Sequence, residues 1–232
     1  MIYCAQKPGV GSLGALIFVL ELIGTAAFAV SGAVLGVKKG MDIFGVFILG
    51  LTTAVGGGVI RDVILGETPP RTFQSPVYAL LALAVSLITF LIYRRGMSSG
   101  KHRAFDLGLF IMDSLGLGAF TVTAMGTAME SGQDGAFLLV FVGVVTGVGG
   151  GVLRDLFAGE TPYIFVKHVY ASASLLGAVV YLLCLRLELG TAWASIAGMA
   201  ATLLLRALSA HFRWNLPHAQ GVKAPGGERP GD

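Results

Sequence analysis

The chain has 232 residues, of which 55% are hydrophobic and 12% are charged, and its formal net charge is +3. Because a soluble domain has about 25% charged residues, this composition argues against a soluble protein and favours a membrane protein. The basic residues lie between apolar runs rather than in one patch, which argues against a nucleic-acid-binding protein. Cys4 and Cys184 lie far apart without C-x-x-C partners, which argues against a disulfide framework or a metal site.

Seven apolar segments are each long enough to cross a bilayer, which takes about 20 residues. In chain order they cover residues 13–37, 42–66, 76–94, 105–129, 134–158, 166–187 and 191–212. Residues 1–12 form a short N-terminal tail, and residues 213–232 form a polar tail rich in proline and glycine, which predicts disorder. The expected fold is therefore an all-α membrane protein with seven transmembrane helices.

Two stretches of the chain resemble each other. AVGGGVIRDVILGETP at 54–69 recurs as GVGGGVLRDLFAGETP at 147–162, and ELIGTAAFAVSG at 21–32 recurs as DSLGLGAFTVTA at 113–124. We therefore predict two three-helix repeats, 13–94 and 105–187, joined by a linker at 95–104. The seventh helix, 191–212, has no counterpart. Because three helices is an odd number, the second copy enters from the opposite face, so the repeats are expected to be inverted, as in many transporters.

Lysine and arginine residues are concentrated on one side of the predicted membrane. That side holds Lys38, Lys39, Arg94, Arg95, Lys101, Arg103, Lys167, Arg213, Lys223 and Arg229, whereas the other side holds Lys7, Arg71 and Arg186. The positive-inside rule therefore predicts the N-terminus and the loops 67–75 and 130–134 outside, with the 95–104 linker and the C-terminus in the cytoplasm.

A glycine triplet lies just past the middle of the second and of the fifth predicted helix. The two triplets are Gly56, Gly57, Gly58 and Gly149, Gly150, Gly151. Glycine-rich spans commonly allow close helix packing. A triplet also lets a helix bend or partly unwind, and freed carbonyl groups then face water or an ion. Two triplets at matched positions, each followed by Arg-Asp, favour a water-lined path.

Four ionisable residues are predicted to form one ion pair in each repeat. Glu21 and Arg61 lie in the outer half of the membrane by their positions along the first two helices. By inversion, Asp113 and Arg154 share the inner half. Because an unpaired charge at a helix centre costs about 3 kcal/mol or more, Glu21–Arg61 and Asp113–Arg154 are expected to pair.

Two aspartates then remain without an arginine. Asp62 and Asp155 directly follow the two arginines, and neighbouring side chains on an ideal helix point about 100° apart. These carboxylates are therefore expected to face a cavity, one towards each mouth, and to favour cations. The chain contains no Ser/His/Asp or Cys/His set and no His-x-x-x-His, so neither an enzyme nor a metal or cofactor site is predicted.

The doubled motif on its three-plus-three-plus-one plan resembles the prokaryotic members of the trimeric intracellular cation (TRIC) channel family over about residues 13–212. The resemblance implies a homotrimer in the lipid of the prokaryotic inner (plasma) membrane. Each protomer would contain one pore for monovalent cations, chiefly K⁺ and also Na⁺. Helices two and five would kink at the glycine triplets, and Arg61, Asp62, Arg154 and Asp155 would be the charged positions that follow.

Two functions remain open after the resemblance is considered. Animal members of the family carry a Lys-Glu-Val triplet that binds inositol lipid, whereas the corresponding region here reads RDLFAGETPYIF. Some bacterial proteins with the same motif pair are described as glycine transporters. The first hypothesis is therefore a passive cation channel, and the second is a secondary transporter of a small neutral amino acid such as glycine. A membrane scaffold would leave the duplicated charges unexplained.

Overall fold

The structure, a computed structural model, describes residues 10–96, 102–166 and 169–212. Within these ranges the chain forms nine helices: α1 Val10–Lys38, α2 Ile43–Leu65, α3 Arg71–Gln74, α4 Val77–Gly96, α5 His102–Glu130, α6 Ala136–Phe157, α7 Tyr163–Val166, α8 Ala171–Arg186 and α9 Thr191–Phe212. The predicted disordered tail, 213–232, residues 1–9 of the N-terminal tail and residues 97–101 of the predicted linker lie outside the described residues.

Six helices in the described ranges, α1, α2, α4, α5, α6 and α9, are long and apolar enough to cross a membrane. The remaining predicted span, 166–187, is shorter than expected, because its helix is the 16-residue α8. The chain after α6 first forms the four-residue helix α7 and reaches α8 at Ala171. The protein is therefore an all-helical membrane protein with six long apolar helices and one shorter one.

Local sequence signals determine where α2 begins and ends. The side chain of Asp42 accepts a hydrogen bond of 2.7 Å from the backbone N–H of Gly45, which is a typical N-cap. The helix ends at Gly66, whose φ of 75° lies in the left-handed region that favours glycine. Gly159, after α6, has a φ of 67°. In both repeats the glycine before Glu-Thr-Pro therefore ends the helix.

Salt bridges identify one end of the helix bundle, which we call the Lys38 face. Lys38, the last residue of α1, lies 2.8 Å from Asp106 near the start of α5. Lys39 contacts Glu160, which follows α6, and this contact lowers the pKa of Glu160. The end of α1, the start of α5 and the end of α6 therefore lie at the same face.

The opposite end, which we call the Glu67 face, contains the loops that follow α2 and α5. The hydroxyl of Ser131 donates a hydrogen bond of 2.9 Å to Glu67. The guanidinium group of Arg71 lies 3.5 Å from Glu130 at the end of α5. These contacts bring the ends of α2 and α5 together.

The interior of the bundle is formed mainly by α1, α2, α5 and α6. Helix α1 packs against α2 and α5, and α2 packs against α6. In the apolar stretch of α5, 67% of the residues are buried, compared with 17% in α4. The outer helix α4 therefore presents most of its apolar surface to the surroundings, as expected for a helix that faces lipid or another protomer.

Candidate functional site

Helices α2 and α6 cross in close contact at their glycine triplets. A Cβ atom added to Gly57 would overlap the carbonyl oxygen of Thr146, and one added to Gly150 would overlap the carbonyl oxygen of Thr53. Both helices run without a break through their triplets. The triplets therefore do not unwind their helices, and the middle glycines allow two intact backbones to approach closely. The predicted kink of the two helices stays a prediction.

The outer glycines of the two triplets have different surroundings. At Gly58, the nearest atoms to an added Cβ would be the Thr72 hydroxyl at 3.8 Å and an Arg61 nitrogen at 4.0 Å. At the equivalent Gly151, an added Cβ would overlap the hydroxyl of Tyr170. A Cβ atom at Gly58 would thus make only ordinary van der Waals contacts, whereas a tyrosine hydroxyl fills the space beside Gly151.

A buried charged cluster lies near the Glu67 face. Arg61 donates a hydrogen bond of 2.9 Å to Glu21 through Nη1 and one of 2.8 Å to Asp62 through Nε. The hydroxyl of Tyr78 donates to the other Glu21 oxygen at 2.6 Å. The second oxygen of Asp62 accepts the backbone N–H of Arg71, the first residue of α3, at 2.8 Å. The predicted Glu21–Arg61 pair is thus present, and it is part of a larger cluster.

A second cluster near the Lys38 face repeats this arrangement. Arg154 donates a hydrogen bond of 2.6 Å to Asp113 through Nη1 and one of 2.8 Å to Asp155 through Nε. Asp155 also accepts the backbone N–H of Tyr163, the first residue of α7, at 2.9 Å. The hydroxyl of Tyr170 lies 3.3 Å from Asp113. The predicted Asp113–Arg154 pair is therefore present as well, and both of its side chains are fully buried.

The expectation that Asp62 and Asp155 face a cavity is wrong. Both side chains are buried, and each binds the arginine that precedes it and the first N–H of a short helix. The prediction assigned one acid to each arginine. A guanidinium group has five N–H donors, however, and can bind two carboxylates at once. The two aspartates therefore join the clusters and anchor α3 and α7.

A small pocket adjoins the cluster near the Glu67 face. Its volume is about 20 Å³, which is room for one or two water molecules. Its lining residues come from α1, α2, α4 and α5 and from the segment around α3: Glu21, Thr25, Ala54, Val55, Gly58, Arg61, Arg71, Thr72, Tyr78 and Phe120. Of the predicted site residues, Glu21, Gly58 and Arg61 thus line this pocket.

Arg206 of α9 is a buried charged residue that is not among the site residues predicted from the sequence. Its Nη2 atom donates a hydrogen bond of 3.3 Å to Asp113, and its Nε atom donates one of 3.1 Å to Ser114. Its guanidinium group also lies over the rings of Phe110 at 4.6 Å and Tyr170 at 4.9 Å. An arginine inside the predicted span 191–212 was itself a signal of a functional or paired charge.

Comparison with known proteins identifies the family. A family model described as "Glycine transporter" matches residues 18–94 and 110–186, which are two repeats of the same model. The UPF0126 inner membrane protein YadS of Escherichia coli (strain K12) is 37% identical over 206 residues, which cover 87% of this chain and 94% of that protein. The chain therefore belongs to the family that this model describes. A UPF0126 membrane protein of Deinococcus radiodurans is 43% identical over 162 residues, covering 68% of this chain and 72% of that protein.

Solved structures of prokaryotic TRIC channels match this UPF0126 chain along most of its length. A TRIC trimeric intracellular cation channel orthologue from Rhodobacter sphaeroides is 35% identical with a TM-score of 0.79, and the match covers 86% of this chain and 100% of that one. A second prokaryotic TRIC channel is 30% identical with a TM-score of 0.79, covering 88% and 100%. The resemblance to TRIC channels predicted from the doubled motif is confirmed.

Proposed function

We propose that this protein is a homotrimeric channel for monovalent cations, K⁺ and Na⁺, with one path in each protomer. The observation that carries the proposal is a pair of matching buried clusters, one towards each end of the bundle. Arg61 binds two carboxylates in the first cluster, and Arg154 binds two in the second. Buried ionisable residues in a membrane protein mark ion or substrate paths. The TRIC cation channels that match the chain over most of its length support the same function.

The two repeats are proposed to be inverted and to enclose the path between them. Helix α1 ends at the Lys38 face, where the equivalent helix α5 begins, and this opposite direction supports the inversion. The crossing of α2 and α6 at Gly57 and Gly150 then lies near the axis that relates the two repeats. Sites at such a repeat interface are typical of inverted transport proteins.

Cations are proposed to enter through the pocket at Glu21. The cluster beside it contains two carboxylates, Glu21 and Asp62, and one guanidinium, Arg61, so its formal charge is −1. Arg71, which also lines the pocket, is paired with Glu130 and adds no net charge. A negatively charged mouth raises the local concentration of cations and lowers that of anions. The pocket has room for one or two water molecules, which suits a small ion.

The Lys38 face is proposed to face the cytoplasm of the inner membrane. Lys38, Lys39 and Arg94 are at or near this face and agree with the positive-inside rule. The related YadS is described as an inner membrane protein.

Recording from the purified protein in planar bilayers tests the proposal. We expect unitary currents, and in a KCl gradient a reversal potential close to that of K⁺. Chloride-selective currents, or no currents from verified trimers, would contradict it. Cross-linking in native membranes should show a trimer.

A secondary transporter of glycine is the second candidate. The family model is described as a glycine transporter, and the pocket combines the Glu21 carboxylate with the guanidinium groups of Arg61 and Arg71. These charges are complementary to the ammonium and carboxylate groups of a small zwitterion. A transporter would show saturable uptake of labelled glycine into proteoliposomes without unitary currents, whereas the channel would show currents that glycine does not alter.

A further inference from the structure

We propose that Arg206, on the helix outside the two repeats, is the residue that makes the Lys38-face half of the path a barrier to cations. This inference rests on the proposed cation path. Arg206 would act through Asp113, whose charge it cancels, and through Tyr170, whose ring it holds in place. Helix α9, which lies outside both repeats, would thus set the permeability of a path built by the two repeats.

The formal charges of the two clusters differ because of Arg206 alone. Near the Glu67 face, two carboxylates share one arginine, which leaves a charge of −1. Near the Lys38 face, Asp113 and Asp155 share Arg154 in the same way, but Arg206 adds a second guanidinium and brings the charge to zero. A neutral segment attracts cations less than a negative one.

The two clusters also differ in the free space beside them: a pocket adjoins the one near the Glu67 face, and a tyrosine fills the space near the Lys38 face. Tyr78 in PVYAL and Tyr170 in HVYAS are equivalent residues of the two repeats. Tyr78 donates to Glu21 at 2.6 Å, and the pocket remains open beside Gly58. Tyr170 likewise donates to Asp113, at 3.3 Å, but it also lies under the Arg206 guanidinium at 4.9 Å. Its hydroxyl occupies the space beside Gly151.

A cation that enters from the Glu67 face therefore meets a negative pocket first. It then reaches the Lys38-face half of the path, where the cluster is neutral and Tyr170 fills the space beside Gly151.

The Glu67-face cluster also indicates what removal of Arg206 would leave. It contains an acid–arginine–acid set without a second buried guanidinium on Glu21, and its carboxylates are still hydrogen-bonded. A Lys38-face cluster without Arg206 should therefore remain folded and carry a charge of −1.

The test is the K⁺ current of Arg206→Gln in planar bilayers, compared with the wild-type protein and with Arg186→Gln. Arg186 is an exposed arginine at the end of α8 and serves as the matched control. We expect Arg206→Gln to raise the K⁺ current about tenfold, the lower end of what a charged cleft does to the local ion concentration. Arg186→Gln should leave the current unchanged, and Arg206→Lys, which keeps the charge, should stay close to the wild type.

Rectification is a second readout, which a purely structural role of Arg206 would not alter. The wild-type protein should pass more K⁺ from the Glu67 face than from the Lys38 face, because the negative pocket is at one end. In Arg206→Gln both ends are negative, so the two currents should become nearly equal. An unchanged current ratio in a trimeric Arg206→Gln protein would overturn the proposal.

A double variant, Asp113→Asn with Arg206→Gln, separates the effect of charge on the current from the effect of impaired folding. Asp113→Asn alone leaves the Lys38-face cluster at +1 and should lower the K⁺ current about tenfold. Asp113→Asn with Arg206→Gln returns the cluster to zero without leaving a charge unpaired, and its current should match the wild type. If the double variant conducts no better than Asp113→Asn, the proposal fails. Failure of the proposed function itself would appear differently, as an absence of K⁺ current in the wild-type protein.

Discussion

Arg61 and Arg154 are buried, and each binds two carboxylates. A buried charge that loses its partner costs about 3–5 kcal/mol, so the arginine is the member of each cluster whose loss leaves most charge unpaired. The acids are not equivalent either. Glu21 lines the pocket, whereas Asp62 is buried behind the arginine and holds the first N–H of α3.

Substitutions at Glu21 and Arg61 should therefore destabilise the protein unequally. Arg61→Gln leaves both Glu21 and Asp62 without a cation, and we expect it to lower the free energy of unfolding by about 5 kcal/mol. Glu21→Gln leaves Arg61 bound to Asp62, and we expect a loss of less than about 3 kcal/mol. Thermal unfolding of the purified variants measures the difference. Equal losses would show that Asp62 does not share the guanidinium group.

Ion preference should depend more on Glu21 than on Asp62. Glu21→Gln removes a carboxylate that lines the pocket, whereas Asp62→Asn removes one that is fully buried. Because a charged mouth acts most strongly on ions at close range, the reversal potential in a KCl gradient should move further towards zero in Glu21→Gln. A larger shift in Asp62→Asn would mean that the path passes Asp62 instead.

At the scale of the helices, the glycine triplets serve the crossing of α2 and α6. We expect Gly57→Ala to force the backbones apart, because its methyl group would overlap the carbonyl oxygen of Thr146. Overpacking of this kind costs about 1–3 kcal/mol. The result should be a lower unfolding temperature and less trimer in size-exclusion chromatography.

Gly58→Ala is the matched control within the same triplet. The nearest atom to its methyl group would be 3.8 Å away, and alanine is the better helix former by about 1 kcal/mol. The fold should therefore be retained, but the K⁺ current should fall because the methyl group enters the pocket. A Gly57→Ala protein as stable as Gly58→Ala would contradict the close crossing.

At the scale of the whole molecule, cysteine labelling tests the orientation of the protein in the membrane. With Cys4 and Cys184 replaced by serine, a membrane-impermeant thiol reagent added to intact cells should label Ser131→Cys at the Glu67 face. It should not label Ser99→Cys, a residue outside the described ranges. The reason is the excess of Lys and Arg on the side of Lys38. The reverse labelling pattern would place the Glu67 face in the cytoplasm and contradict the proposed orientation.

The amino-acid sequence alone predicts which segments are long and apolar enough to cross the membrane and which charges lie at similar depth. The length and apolarity of a segment are local properties, so six of the seven predicted spans agree with long helices. The matched motifs also indicated the family and the partners Glu21–Arg61 and Asp113–Arg154, because position along a helix sets depth. The end of the helix before Glu-Thr-Pro was likewise readable from a glycine.

Which atoms meet at a given depth depends on how the helices pack. Contacts depend on the rotation and crossing of each helix, and an ideal 100° per residue does not supply these. The sequence therefore placed Asp62 and Asp155 in a cavity, whereas packing turns them towards their own arginines and the starts of α3 and α7. The same packing brings Arg206 from outside the repeats to Asp113. Internal symmetry could not reveal that contact, because α9 has no counterpart.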